Sequence, residues 1–161
     1  MIVAAAVVTA LILLNAIFVA AEFAIVGASR LSIERMALGG NRRARRVLRV
    51  LESAKLQDGY IATSQIGVTL ASLAIGMFGE HTLATRIREL FESIGWQSET
   101  SVHLTASALA ITVLSFFHIV IGEMVPKTLA LASVDRAAMT LTPIVLTLRL
   151  ILWPLVMVLN L

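Results

Sequence analysis

Three stretches of this chain are apolar over membrane length and almost free of charge: residues 2–28, 59–78 and 104–132. A hydrocarbon core about 30 Å thick takes roughly 20 helical residues to cross, and backbone polar groups inside it must be satisfied within the segment. The expected fold is therefore an all-α membrane protein with three transmembrane helices plus juxtamembrane and interfacial amphipathic helices. Composition agrees, since 58% of the 161 residues are hydrophobic, more than a soluble domain of this size requires. The first run is too long for a cleavable signal peptide, lacks a basic start and contains Glu22, which marks it as a retained helix. Cysteine is absent, which excludes disulfides and thiolate metal sites. No nucleophile–base pair and no phosphate-binding loop is recognisable, so an enzyme is not expected.

The charges gather between the runs. Residues 30–55 carry Arg30, Arg35, Arg42, Arg43, Arg45, Arg46, Arg49 and Lys55 against Glu34 and Glu52, and Gly39-Gly40-Asn41 divides them into two short helices. In the second, Ala44, Val47, Leu48 and Leu51 recur at helical spacing among arginines. That pattern predicts a helix lying on the membrane with its apolar face down and residues 42–49 against anionic lipid, rather than on nucleic acid. Residues 79–103, the expected external segment, are acidic by comparison, with Glu80, Glu89, Glu92 and Glu99 against Arg86 and Arg88; Leu83, Ile87, Leu90 and Phe91 suggest a short amphipathic helix there, and Trp96 suits an interface. The positive-inside rule then puts residues 30–55 in the cytoplasm and the N-terminus outside, in a multi-pass protein of the cell (plasma or inner) membrane. Residues 137–161 are apolar but interrupted by Pro143, Arg149 and Pro154, which predicts a kinked interfacial helix rather than a fourth span, with a cytoplasmic C-terminus.

The third run ends in His118-Ile119-Val120-Ile121-Gly122-Glu123-Met124-Val125-Pro126-Lys127. Proline has no N–H, so Pro126 deprives the carbonyl four residues back, that of Gly122, of its helical partner. A free carbonyl beside the Glu123 carboxylate makes a pair of hard oxygen ligands of the kind Mg²⁺ or Ca²⁺ takes. An ordinary helix end, with Pro126 as the stop and Lys127 as an interface anchor, also fits the spacing. A second intramembrane carboxylate favours the ligand reading. Asn15 and Glu22, seven residues apart, share nearly one face of the first helix. Given the topology above, Glu22, Glu123, Ser64, Gln65 and Thr69 all fall in the cytoplasmic half of the bilayer. Two carboxylates at one depth repel unless a cation or protons lie between them, provided that the first and third spans are neighbours. Thr112, Ser115, His118 and Gly122 form a polar stripe leading to Glu123, with His118 expected to pack rather than to ligate. The small and polar residues of the second span fit either close helix packing or a cavity wall.

Two of these segments resemble the CNNM/CorC magnesium transporters: Asn15-Ala16-Ile17-Phe18-Val19-Ala20-Ala21-Glu22-Phe23-Ala24 is similar to their first-helix motif, and Gly122-Glu123-Met124-Val125-Pro126-Lys127 to their Gly-Glu-x-x-Pro-Lys motif. The resemblance covers nearly the whole chain. It implies a homodimer that holds Mg²⁺ near the cytoplasmic side and exports it with coupling to Na⁺, with CBS-type cytoplasmic domains expected downstream of Leu161. Gly122 and Glu123 carry over as metal ligands, and Glu22, Thr69 and Ser72 are the candidates to complete the site. Asn15, Ser64, Gln65, Ser115, His118 and Lys127 are further candidates for the cavity or for coupling. Two positions depart from the magnesium-transporting pattern, Ala21 where a serine is usual and Val68 where an asparagine is usual.

The leading expectation is thus a divalent-cation transporter, with Mg²⁺ the first ion. An organic-cation (polyamine) exporter would use the same two glutamates. A membrane anchor and dimerisation module that moves nothing would instead pair them with Lys127 or an arginine.

Overall fold

The computed structural model describes residues 2–95 and 99–159, the side chains of residues 2, 99 and 153–159 excepted. Trp96 and the last two residues of the 137–161 segment lie outside the described residues. All regular structure among the described residues is helical: α1 (Ile2–Gly27), α2 (Arg30–Leu38), α3 (Arg42–Leu51), α4 (Ala54–Ala74), α5 (Glu80–Ser93), α6 (Glu99–Phe117), α7 (Val125–Ala132) and α8 (Val134–Leu159). A π-helical stretch at Ile75–Gly79 joins α4 to α5, and another at His118–Met124 joins α6 to α7. Three helices are long and apolar enough to cross a membrane: Val3–Gly27, Ala54–Ser93 and Thr100–Ala132.

The second of these runs on well past the expected end of its span. Its 40 residues rise about 60 Å at 1.5 Å each, twice the thickness of a bilayer core. Gly79 does not break the helix, because the π turn carries the backbone hydrogen bonds across it and the Glu80 N–H bonds to Gly76 O. The short amphipathic helix expected in the external segment is α5, continuous with the span and laced on its surface by Arg86–Glu89 and Arg88–Glu92 pairs. Pro126 likewise fails to stop its helix. It lies in the first turn of α7, where a missing N–H deprives no earlier turn of that helix. The preceding π stretch absorbs the register change, with the Val125 N–H bonded to Val120 O.

The short helices are fixed by caps. Ser29, Asn41 and Ser53 accept backbone N–H groups at the starts of α2, α3 and α4, the usual use of these residue types. The apolar face of α3 does not lie on lipid as its periodicity suggested. Ala44, Val47 and Val50 are buried in one core with Ala21 and Ile25 of α1, Tyr60 of α4 and Val145 of α8. The reason is that α8 packs along α1, α3 and α4 and supplies the apolar partner that a bilayer would otherwise provide. Arg42, Arg43, Arg45, Arg46 and Arg49 remain exposed around that core.

The α8 helix continues through Pro143, with Ala138, Thr142 and Val145 buried on one face. Arg149 is half-buried, and its guanidinium lies over Gly59, where a Cβ would come within 2.6 Å of Nη2. The central arginine of this segment thus rests on the backbone of α4. Asp135 ties α8 to α2, accepting from the Ser29 N–H at 3.3 Å and from the Ser32 hydroxyl. A carboxylate there also faces the positive end of the α2 dipole. Asp135→Ala should lower stability by about 1–2 kcal/mol and raise amide exchange at the start of α2. Unchanged exchange there would show that this bracket holds nothing.

Candidate functional site

The first and third spans are neighbours, and the contact between them is polar. Asn15 is fully buried (0% exposed) and its Nδ2 donates to Gly122 O at 3.0 Å. This is the carbonyl that Pro126 leaves without a helical donor. Glycine is required at that point: a Cβ on Gly122 would meet His118 Cδ2 at 3.0 Å and Asn15 Nδ2 at 3.2 Å.

The network continues into the second span. Ser72 Oγ lies 3.5 Å from Asn15 Oδ1 and 3.2 Å from His118 Nε2. One assignment of protons satisfies every contact. A carbonyl can only accept, which fixes the Asn15 amide with Nδ2 toward Gly122 and Oδ1 toward Ser72. The single Ser72 proton then goes to Asn15 Oδ1, and His118 donates from Nε2 to Ser72. Donation therefore runs His118 to Ser72 to Asn15 to Gly122 across all three spans. His118 Nε2 is also 3.8 Å from Glu123 Oε1, with the two side chains 17% and 45% exposed. That spacing is too long for a hydrogen bond, so the Glu123 carboxylate borders the network without being held by it.

The other candidate residues divide clearly. Glu22 Oε1 accepts from Gln65 Nε2 at 3.2 Å, a separate contact between α1 and α4. Thr69 returns its hydroxyl to Gln65 O of its own helix and is exposed. Ser64 is buried, and its Oγ has no hydrogen-bond partner among the described residues. Lys127 Nζ sits 4.4 Å from the centre of the Phe23 ring, a cation–π contact. Ser115 is exposed on α6, and Thr112 bonds back to Ala108 O. Ser115 and His118 also line a cavity of about 150 Å³ together with Ser72, Gly76 and Glu80. No group of three or more His, Cys, Asp or Glu able to hold a metal occurs among the described residues. What converges is a set of neutral oxygens, from Asn15, Gly122 and Ser72, beside one carboxylate.

Sequence reasoning placed Asn15 on the right face but gave it only an accessory role. Its actual partner is a carbonyl 107 residues further along the chain, released by Pro126, which no local pattern on the first helix reports. The available signal was the coincidence of an amide in one span with an orphaned carbonyl in another.

Known proteins match the chain along nearly its whole length. It is 35% identical over 150 residues to the UPF0053 protein YhdT of Bacillus subtilis, covering 93% of this chain and 32% of that protein. It is 36% identical over 153 residues to the UPF0053 protein YrkA of the same organism, covering 94% and 34%. Over 140 residues it is 38% identical to the uncharacterized protein Rv1841c of Mycobacterium tuberculosis, covering 86% and 38%. The chain spans about a third of the length of these relatives. A family model, the cyclin M transmembrane N-terminal domain, matches residues 6–161. With three apolar helices joined by a polar network on the Asn15 and Gly122-Glu123 motifs, the chain belongs to the CNNM family and is its transmembrane domain.

Proposed function

We propose that this domain carries a hard cation, Mg²⁺ first, across the membrane by way of the oxygens of Asn15, Gly122 and Ser72 and the carboxylate of Glu123. Family membership and the apolar helices suggest a membrane transporter, a role that fits a non-enzymatic domain. The observation that carries the reading is the state of the two intramembrane glutamates. Neither forms an ion pair with a lysine or arginine among the described residues: Glu22 meets the neutral amide of Gln65, Glu123 borders His118, and Lys127 is taken up by Phe23. A carboxylate at bilayer depth costs roughly 2.5 kcal/mol or more without a partner. A module that only anchored neighbouring domains would have no use for two of them.

The donor chemistry suits the ion. Mg²⁺ takes oxygen ligands at about 2.0–2.1 Å in octahedral geometry, so adjacent ligands stand roughly 3 Å apart. Ser72 Oγ and Asn15 Oδ1 are already 3.5 Å apart. Ala21 is buried and Val68 half-buried, and neither supplies an oxygen, so the ion keeps waters where relatives have side chains. Glu22 with Gln65 provides a second negative point for a coupling ion such as Na⁺. The basic α2 and α3 face the cytoplasm and its anionic lipid headgroups, the N-terminus lies outside and the C-terminus inside. Two copies of the chain form the working unit.

The separation of Glu22 and Glu123 into two contacts with different partners supports one second reading. A diamine such as putrescine could place one ammonium group at each.

The test is thermal stability in detergent, titrated with Mg²⁺, Ca²⁺, Na⁺ and putrescine. A ligand that binds only the folded state adds RT ln(1 + [L]/Kd), about 1.4 kcal/mol at ten times Kd. The expected result is a saturable Mg²⁺ shift that disappears in Glu123→Ala while the dimer still elutes intact. A shift with putrescine alone transfers the site to organic cations, and a Mg²⁺ response that survives Glu123→Ala removes the central claim.

A further inference from the structure

Glu80 lies where the polar network of the inner site would have to open toward the opposite side of the membrane. It is half-buried at the start of α5, and its carboxylate makes no hydrogen bond or ion pair among the described residues. The neighbouring acids do: Glu89 pairs with Arg86 and Glu92 with Arg88. Glu80 is also a wall of two cavities. One, of about 150 Å³, is lined by Ser72, Ser115 and His118 and so borders the network around Asn15 and Gly122. The other, of about 160 Å³ between α5 and α6, is lined by His81, Thr85, Arg88, His103 and Ser107. Among the described residues Glu80 is the one that lines both, and the one carboxylate in either.

The backbone explains how it gets there. Glu80 follows Ser72 by eight residues, about 12 Å along the helix. In a regular α-helix eight residues would turn it about 80° away from Ser72. The intervening π stretch, Ile75–Gly79, turns less per residue because its bonds close i→i+5, and it takes up most of that angle. Ser72 and Glu80 thereby share one cavity. The facing helix carries its own π stretch at His118–Met124, so both walls deviate from regular geometry beside the same cavity.

We propose that Glu80 is a second cation-binding position, on the outer side of the path. Its carboxylate receives a divalent cation passing Ser72 and His118 and hands it to the cavity lined by His81, His103 and Ser107. This rests on the transport reading of the Asn15–Gly122–Glu123 site. A path needs sites that bind well enough to enter and weakly enough to leave. A half-buried carboxylate beside hydroxyls and imidazoles, with the one guanidinium in the lining, Arg88, paired to Glu92, meets that need.

The experiment compares the full chain with Glu80→Gln and Glu80→Asp in proteoliposomes holding a Mg²⁺-sensitive dye, alongside the Mg²⁺ thermal shift of each in detergent. Glu80→Gln is expected to lower Mg²⁺ flux about tenfold while the half-saturating Mg²⁺ concentration of the thermal shift moves less than about twofold, and Glu80→Asp should recover a substantial part of the flux. Wild-type flux in Glu80→Gln overturns the proposal and leaves the inner site standing. Loss of the thermal shift in Glu80→Gln overturns it too, because Glu80 would then belong to the inner site or to the fold. A wild-type chain that neither shifts with Mg²⁺ nor moves it removes the transport reading, and this inference with it. A further readout does not depend on flux. The chain has no cysteine, so Ser107→Cys offers a single thiol for a membrane-impermeant maleimide. Externally added Mg²⁺ should slow that labelling, and should no longer do so when Glu80 is also Gln. Equal protection in both backgrounds counts against Glu80 as the ligand.

Discussion

Asn15→Leu will lower the stability of the domain by about 1–3 kcal/mol and abolish its response to Mg²⁺. Leucine keeps the branching of asparagine but is larger, so the buried site stays filled and some overpacking adds to the loss of hydrogen bonding. The Gly122 carbonyl loses its 3.0 Å donor, and its helix cannot replace it because Pro126 has no N–H. Ser72 loses the acceptor at 3.5 Å that orients its proton, so the hydroxyl that accepts from His118 has no partner for its own O–H. A buried polar group left without a partner bears its full desolvation cost, and there is little water at this depth to relieve it. Asn15→Asp sharpens the test. An ionised aspartate can accept from Ser72 but cannot donate to Gly122 O, and it sets two acceptors against each other. It is therefore expected to destabilise about as much as leucine at neutral pH, despite being closer in shape. The melting temperature in detergent and its Mg²⁺ dependence are the readouts. If both variants melt and respond as wild type does, the amide–carbonyl contact does not organise the site.

Much of the fold was legible because the membrane imposes a coarse code. Apolar length, charge placement and the Gly39-Gly40 break suffice to place three spans and two basic helices in order. Where the reading went astray, the cause was non-local. The α3 stripe of Ala44, Val47, Leu48 and Leu51 is equally good for lipid or for protein, and the docking of α8 decides between them, burying Ala44 and Val47 together with Val50. Gly79 is an ordinary stop signal, yet it ends a π stretch that keeps the helix running. An extra residue absorbed in a π turn changes which side chains share a face, and no α-periodicity count anticipates it. The Gly122-Glu123 motif was legible as chemistry because a proline removes a donor at a known offset. What filled the vacancy was not legible, since Asn15 and Gly122 are joined only by tertiary packing.

Gly67→Ala is expected to be the most damaging single-methyl change in the chain, because it strikes the contact that sets the spacing of α1 and α4. Phe18 lies flat over Gly67: a Cβ there would stand 2.4–2.5 Å from three of its ring carbons. The ring is 3% exposed, and its one outlet is the apolar cavity of about 230 Å³ that it lines with Gly67, Leu70 and Leu148, so the methyl must either drive the ring off its seat toward that cavity or push the helices apart. Overpacking of this kind costs about 1–3 kcal/mol. The same interface carries the Ser72–Asn15 and Glu22–Gln65 contacts, so widening it also stretches hydrogen bonds at the proposed site. A loss of Mg²⁺ response should therefore accompany the fall in melting temperature. The cause can be isolated by a double-mutant cycle. Phe18→Ala alone should cost about 3–5 kcal/mol through the cavity it leaves. Combined with Gly67→Ala, the cost should fall well short of the sum, because the new methyl then enters space that the ring has vacated. Additive costs would mean that the ring and the glycine do not meet. A Gly67→Ala protein that melts with the wild type would mean that the two helices tolerate a wider spacing than this packing allows.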